Sequence, residues 1–135
     1  MSDEEERREL EEGFSGGFVL DDATSFTRLM LELYDYCCAI SGEEFAPTKT
    51  LPHPELDVYL FRTLEEGGEL SFANAIVVKS QMLSLLDKGA LFIDAHYRVV
   101  EAATEIVGTR IHRHPDRVFW PSLEAIAFHR DRVLR

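Results

Sequence analysis

A chain of 135 residues, 45% of them hydrophobic, suits one ordinary domain with a genuine core. Its net charge of −11 makes free DNA a weak partner at best, because nucleic-acid binders neutralise phosphates with clustered lysine and arginine. No run is apolar enough to span a bilayer and the acid-crowded start is the reverse of a targeting signal, so the expectation is a cytoplasmic protein with no membrane partner.

Residues 1–22 carry nine acids against two arginines, for −7, while the rest of the chain is only −4. Residues 1–21, ending in the Gly-rich stretch from Gly13 to Gly17, read as an acidic arm. It is either a solubilising extension or a partner-binding tail, and residues 22–135 form the domain. Thr24 is placed to cap a helix in which Phe26, Leu29, Met30, Leu33 and Tyr34 recur at helical spacing. That helix should end near Cys37, before the turn at Ser41-Gly42. The adjacent Cys37 and Cys38 are read as reduced, with one of them buried.

Residues 43–54, with three prolines, read as loop; residues 56–64 (LDVYLFRTL) read as a strand broken by Gly67-Gly68. A short apolar run follows at 75–78. Ser80 then begins a helix over 81–88 that Gly89 ends in the left-handed conformation. Two β-like stretches, 90–93 and 96–100, are joined at Asp94-Ala95 as a hairpin, and residues 101–106 fit either helix or strand. Pro121 occupies a good first helical position for a terminal helix containing Leu123, Ile126, Ala127 and His129. The sum is an α+β fold.

Four segments carry a resemblance. They are LYDYCCAISG at 33–42, Gly67-Gly68 followed by Asn74, LDKG at 86–89 running into LFIDAHYRVV, and Trp120-Pro121 with AFHR at 127–130. In this order and spacing they resemble the HNH endonucleases, the His-Me finger or ββα-metal family, of the type labelled restriction endonuclease. The resemblance implies an HNH-like ββα core with an N-terminal helix, a following hairpin and a C-terminal helix. It also implies a first histidine as general base, a loop asparagine and a helix histidine that holds a divalent metal. In register, the first histidine position is Leu60, the asparagine is Asn74, and the helix histidine position is Leu83. Leucine takes no proton and offers no lone pair. The expectation is therefore a catalytically silent member in which the former pocket has become packed core, with no cofactor.

Other residues leave alternatives open. His53 lies in a proline-bounded loop seven residues before Leu60. His112 and His114 would share one face of a strand and, with His129, offer a zinc reading. Asp57, Glu65, Glu66 and Asp87 offer a carboxylate one. Arg110, His112, Arg113, His114, Arg117 and Arg130 form a candidate phosphate- or partner-binding surface, which the acidic arm in cis or an acidic partner would also suit. A binding or regulatory module with a protein partner, self-association or DNA is thus the first expectation. The alternatives are a metal-dependent endonuclease with displaced residues, the only case that needs a divalent metal, and a structural oligomerisation role.

Overall fold

A computed structural model describes residues 22–134, so the acidic arm lies outside the described residues. Helix α1 (Ala23–Leu33) leads into a two-stranded antiparallel hairpin, β1 (Leu56–Leu60) with β2 (Ala75–Lys79). The short helix α2 (Leu83–Asp87) follows after one turn. A three-stranded antiparallel sheet comes next, β3 (Leu91–Ile93), β4 (Arg98–Glu101) and β5 (Ile106–Arg110), in the order β3-β4-β5. Helix α3 (Leu123–Val133) closes the chain. This is the α+β architecture that the sequence implies. No helix among the described residues is long and apolar enough to cross a membrane.

Local chemistry sets the ends of these elements, in places differently from expectation. Helix α1 is capped by Asp22, whose carboxylate accepts the Thr24 N–H at 2.9 Å, rather than by Thr24. It stops at Leu33, short of Cys37, because Asp35 (φ 51) and Tyr36 (φ 54) adopt the left-handed conformation. That turn sends the Tyr34 ring into the core and lets Tyr36 N–H reach the Leu31 carbonyl at 2.9 Å. Strand β1 ends at Leu60, four residues before the expected Leu64. Ser80 does not cap a helix; its N–H donates to the Glu55 carbonyl at 2.9 Å, and a 3-10 turn over Ser80–Met82 precedes α2. Gly89 does end α2 with φ 78, and a Cβ there would also lie 2.8 Å from the Val133 Cβ of α3. Pro121 lies one residue before the cap rather than inside the helix: Ser122 caps α3, its hydroxyl accepting the Ala125 N–H at 3.0 Å.

The predicted hairpin forms, but its loop is longer than Asp94-Ala95. Asp94 Oδ1 accepts the backbone N–H groups of His96 and Arg98 at 2.8 and 3.0 Å, and Tyr97 takes φ 63. Residues 102–105 are a turn, neither helix nor strand, and they lead into a β5 strand that was not anticipated.

Helix α1 packs on β1 and β2, and α3 on β3. One cluster unites them, including Phe26, Met30, Tyr34, Phe61, Ile76, Leu86, Ile93 and Ile126. Each such side chain contributes about 1.5–3 kcal/mol on burial. Strand β2 is buried over Ala75–Val78, which explains its unbroken apolar run. Ala39 ties β2 to the segment that follows β5, its N–H donating to Val77 O and its carbonyl accepting from His112 N–H, both at 2.8 Å. Beside it both cysteines are buried and free, and Cys38 Sγ accepts the Ser41 and Lys79 N–H groups at 3.4 Å.

His129 fastens α3 to this core. It is fully buried, its ring edge-on to Tyr59 (5.3 Å) and Phe61 (5.8 Å), with Nε2 2.8 Å from the Leu86 carbonyl. A carbonyl only accepts, so Nε2 carries the proton; Nδ1 has no partner among the described residues. Burial lowers the imidazole pKa below its ordinary 6.5, against the raising effect of the Leu86 carbonyl, and the Arg132 charge lowers it further. Below about pH 6.5 the unfolded chain therefore binds a proton here that the folded chain refuses, and stability falls as pH drops. Denaturant titrations between about pH 7 and pH 5 are expected to show that decline, and His129→Gln, which keeps an N–H for Leu86, to lack it.

Candidate functional site

The loop joining β1 to β2 is organised by Asn74, which is 8% exposed. Its Oδ1 accepts the Arg62 N–H at 3.0 Å, and its Nδ2 donates to the carbonyls of Arg62 (2.9 Å) and Glu69 (3.0 Å). Its own carbonyl accepts the Phe61 N–H at 2.9 Å. The side-chain amide thus continues, at Arg62, the ladder whose last backbone pair is Leu60 with Ala75. This explains why the strand stops where it does. Gly68 lets the loop close: a Cβ there would lie 2.0 Å from the Arg62 carbonyl oxygen. Glu66 clamps the other side, accepting the Thr63 N–H (3.1 Å) and hydroxyl (2.8 Å) and pairing with Arg132 of α3. Burial alone would raise the Glu66 pKa, but those donors and the guanidinium hold it below the usual value. Arg132 also donates to the Tyr59 hydroxyl at 3.0 Å.

Leu60 ends β1 and Leu83 begins α2. Both are half-buried and pack against the margin of the core, so the expected conversion of this region to fully packed interior goes only part of the way. Neither side chain offers a donor atom to a divalent metal, and among the described residues no three His, Cys, Asp or Glu side chains gather to hold one. The residues at these positions do not fit such an ion.

His53, His112 and His114 are engaged in structure, while His96 is exposed in the β3–β4 loop with its backbone N–H on Asp94. His53 is buried, its Nδ1 accepting the N–H groups of Glu55 and Leu56 at 3.0 and 3.1 Å and its Nε2 3.3 Å from the Ala46 carbonyl. His112 and His114 lie beyond β5 in irregular backbone, not on a strand, so they do not share a strand face. His112 meets the Tyr34 ring edge-on at 6.3 Å, while His114 packs on Phe119 at 4.7 Å and accepts the Asp116 N–H. The predicted carboxylate group does not assemble either, since Glu66 is committed to Arg132 and Thr63.

Of the six residues of the candidate phosphate surface, the fold gathers three cations. Arg113 stacks over Trp120 at 3.9 Å and Tyr97 at 4.7 Å, and Arg117 lies over the same indole at 5.2 Å. Burial lowers the Arg113 pKa, and the charges of Arg110 and then Arg117 lower it further. Arg130 sits on α3, apart from the rings over which Arg113 and Arg117 stack.

A cleft that sequence reasoning missed opens beside Asn74. It encloses about 340 Å³ and is lined by Arg62, Gly68, Ser71, Ser122, Glu124 and Phe128, among others. The Arg62 guanidinium lies 4.7 Å over the Phe128 ring, and its Nε donates to the Glu66 carbonyl at 2.8 Å. Gly67-Gly68 and the helix cap at Ser122 were its only sequence signals.

This architecture is similar to part of a modification-dependent restriction endonuclease, TagI, with a TM-score of 0.70 and 20% identity. The chain has a restriction-endonuclease-like fold. The match covers 94% of this chain and 43% of that one, so the chain spans less than half the length of that endonuclease. No protein-family model matches the sequence, and no curated protein matches it.

Two substitutions test the loop. In Asn74→Asp an oxygen replaces Nδ2 and faces two carbonyls, at an expected cost on the order of 2 kcal/mol or more in denaturant unfolding. Hydrogen exchange is expected to place the loosening in residues 61–69. Gly68→Ala forces its new Cβ against the Arg62 carbonyl and is expected to cost about 1–3 kcal/mol by the same measurement.

Proposed function

We propose that this chain is an HNH-like nuclease domain that has lost cleavage chemistry and works as a binding or regulatory module. One observation carries the reading: leucines occupy both positions where the resemblance calls for histidine, while the asparagine between them keeps its full set of hydrogen bonds. Phosphodiester cleavage in this architecture needs an imidazole to deprotonate water and a cation to stabilise charge on the phosphoryl oxygens. Leu60 cannot accept a proton, and Leu83 cannot ligate a metal. Loss of the general base alone lowers the rate by about 10²–10⁴-fold. Fold and chemistry are separable, so likeness to an endonuclease is compatible with a silent site.

Displaced chemistry has little to draw on, because the exposed His96 lies in the β3–β4 loop with no metal-ligating cluster among the described residues. Both ring nitrogens of His53 lie at bonding distance from backbone groups, and Nε2 of His129 is held by Leu86. His112 and His114 pack against aromatic rings. What remains is recognition, through the arginine–aromatic face and the cleft beside Asn74. The test is plasmid cleavage, on unmodified and modified DNA, with Mg²⁺, Mn²⁺, Ni²⁺ or Zn²⁺ supplied in turn. No nicking above background is expected with any ion. Metal-dependent nicking that disappears in His112→Ala or His114→Ala would overturn the proposal.

A further inference from the structure

Arg113 and Arg117 stand on a rigid aromatic platform, and the charge of Arg110 acts on Arg113 beside them. The Trp120 Nε1–H donates to the His114 carbonyl at 2.6 Å and the Tyr97 hydroxyl to the Pro121 carbonyl at 2.9 Å, which fixes both rings under the guanidinium groups. Stacking engages the flat face of a guanidinium and leaves its N–H edge available to a carboxylate or phosphate. Among the described residues no carboxylate pairs with any of these three arginines; the ion pairs there are Lys79–Glu43, Arg98–Asp94 and Arg132–Glu66. No ion pair among the described residues therefore neutralises the cluster, although like charges held together repel one another.

We propose that this arginine–aromatic face is the docking surface for the chain's own acidic N-terminal segment, residues 3–12. That segment holds seven acids against two arginines. Carboxylates meet guanidinium edges in bidentate pairs, which are among the stronger charge-assisted hydrogen bonds. The tether is long enough. Helix α1 separates Asp22 from Tyr34, and its eleven residues span about 16 Å. Tyr34 lies near the face, its ring 6.3 Å from that of His112 and its hydroxyl acting on the Arg113 charge. The ten residues from Glu12 to Asp22 extend to at most about 33–36 Å, roughly twice that separation. Being covalently attached, the segment acts at an effective concentration on the order of millimolar. Nucleic acid is the less favoured occupant, because the net charge of −11 repels it and the arm must first be displaced. Docking of the arm does not depend on whether the chain cuts DNA.

Trp120 is the single tryptophan, so its indole N–H resonance reads this face without ambiguity. The comparison is between the full-length chain and a full-length variant carrying Glu4→Gln, Glu5→Gln, Glu6→Gln, Glu9→Gln, Glu11→Gln and Glu12→Gln. The two indole signals are expected to differ at low salt and to converge at about 1 M salt, where screening acts within about 3 Å. A synthetic peptide of residues 1–12 is expected to move the variant's signal toward that of the unmodified chain. Adding Arg110→Ala and Arg117→Ala is expected to abolish that response; should this combination fail to fold, the peptide titration decides by itself. Coincident signals at low salt overturn the proposal. A shift that grows with protein concentration, indicating another copy's arm, also overturns it, as does a signal that responds to a duplex oligonucleotide but not to the peptide. The nicking assay shares none of these readouts, so failure of either idea is separately visible.

Discussion

A neutral imidazole between two aromatic rings ties the last helix to the rest of the molecule. His129 reaches from α3 to the Leu86 carbonyl on α2 while its ring edge rests against Tyr59 and Phe61. Three stretches far apart in sequence therefore share one hydrogen bond and one patch of core. Because that carbonyl can only accept, the arrangement also dictates the tautomer. Arg132, one turn further along α3, adds a polar clasp by holding Glu66 and the Tyr59 hydroxyl. Burial pushes the Tyr59 pKa up to about 12, against the lowering effect of the Arg132 charge, so the phenol stays protonated at neutral pH. Helix α3 thus braces the β1–β2 loop from outside while Asn74 braces it from within.

Scaffold and chemistry part company in that loop. Asn74, Gly68 and Glu66 impose a demanding geometry, and each does so through backbone groups that would otherwise be left unpaired or would collide. The flanking Leu60 and Leu83 bring neither proton transfer nor metal ligation to that loop. The frame itself is stabilised by packing and hydrogen bonds that owe nothing to catalysis.

The surface follows a similar separation. An acidic chain concentrates cations on one aromatic platform, where stacking on Trp120 and Tyr97 compensates for crowding of like charges.

Much of the fold was legible from short-range chemistry. Gly89 ended α2 as its position implied, the alternation around Asp94 marked a hairpin, and helical spacing placed Phe26 and Met30 on the buried face of α1. Element ends were less legible. Asp22 and Ser122 displaced Thr24 and Pro121 as the residues that begin helices, and two left-handed residues with no glycine among them ended α1 early. Strand β1 stopped at Leu60 because a side chain 12 residues away from Arg62 took over the pairing, which no local pattern records. For the candidate site, residue identity alone told that positions 60 and 83 carry no imidazole. Only the tertiary structure decided that Arg113 and Arg117 share one indole while Arg130 stands apart, and that a cleft opens beside Asn74. The physical reason is range: caps, turns and hydrophobic spacing act over a few neighbouring residues, whereas counter-charges, stacking partners and cavities depend on where distant segments come to rest.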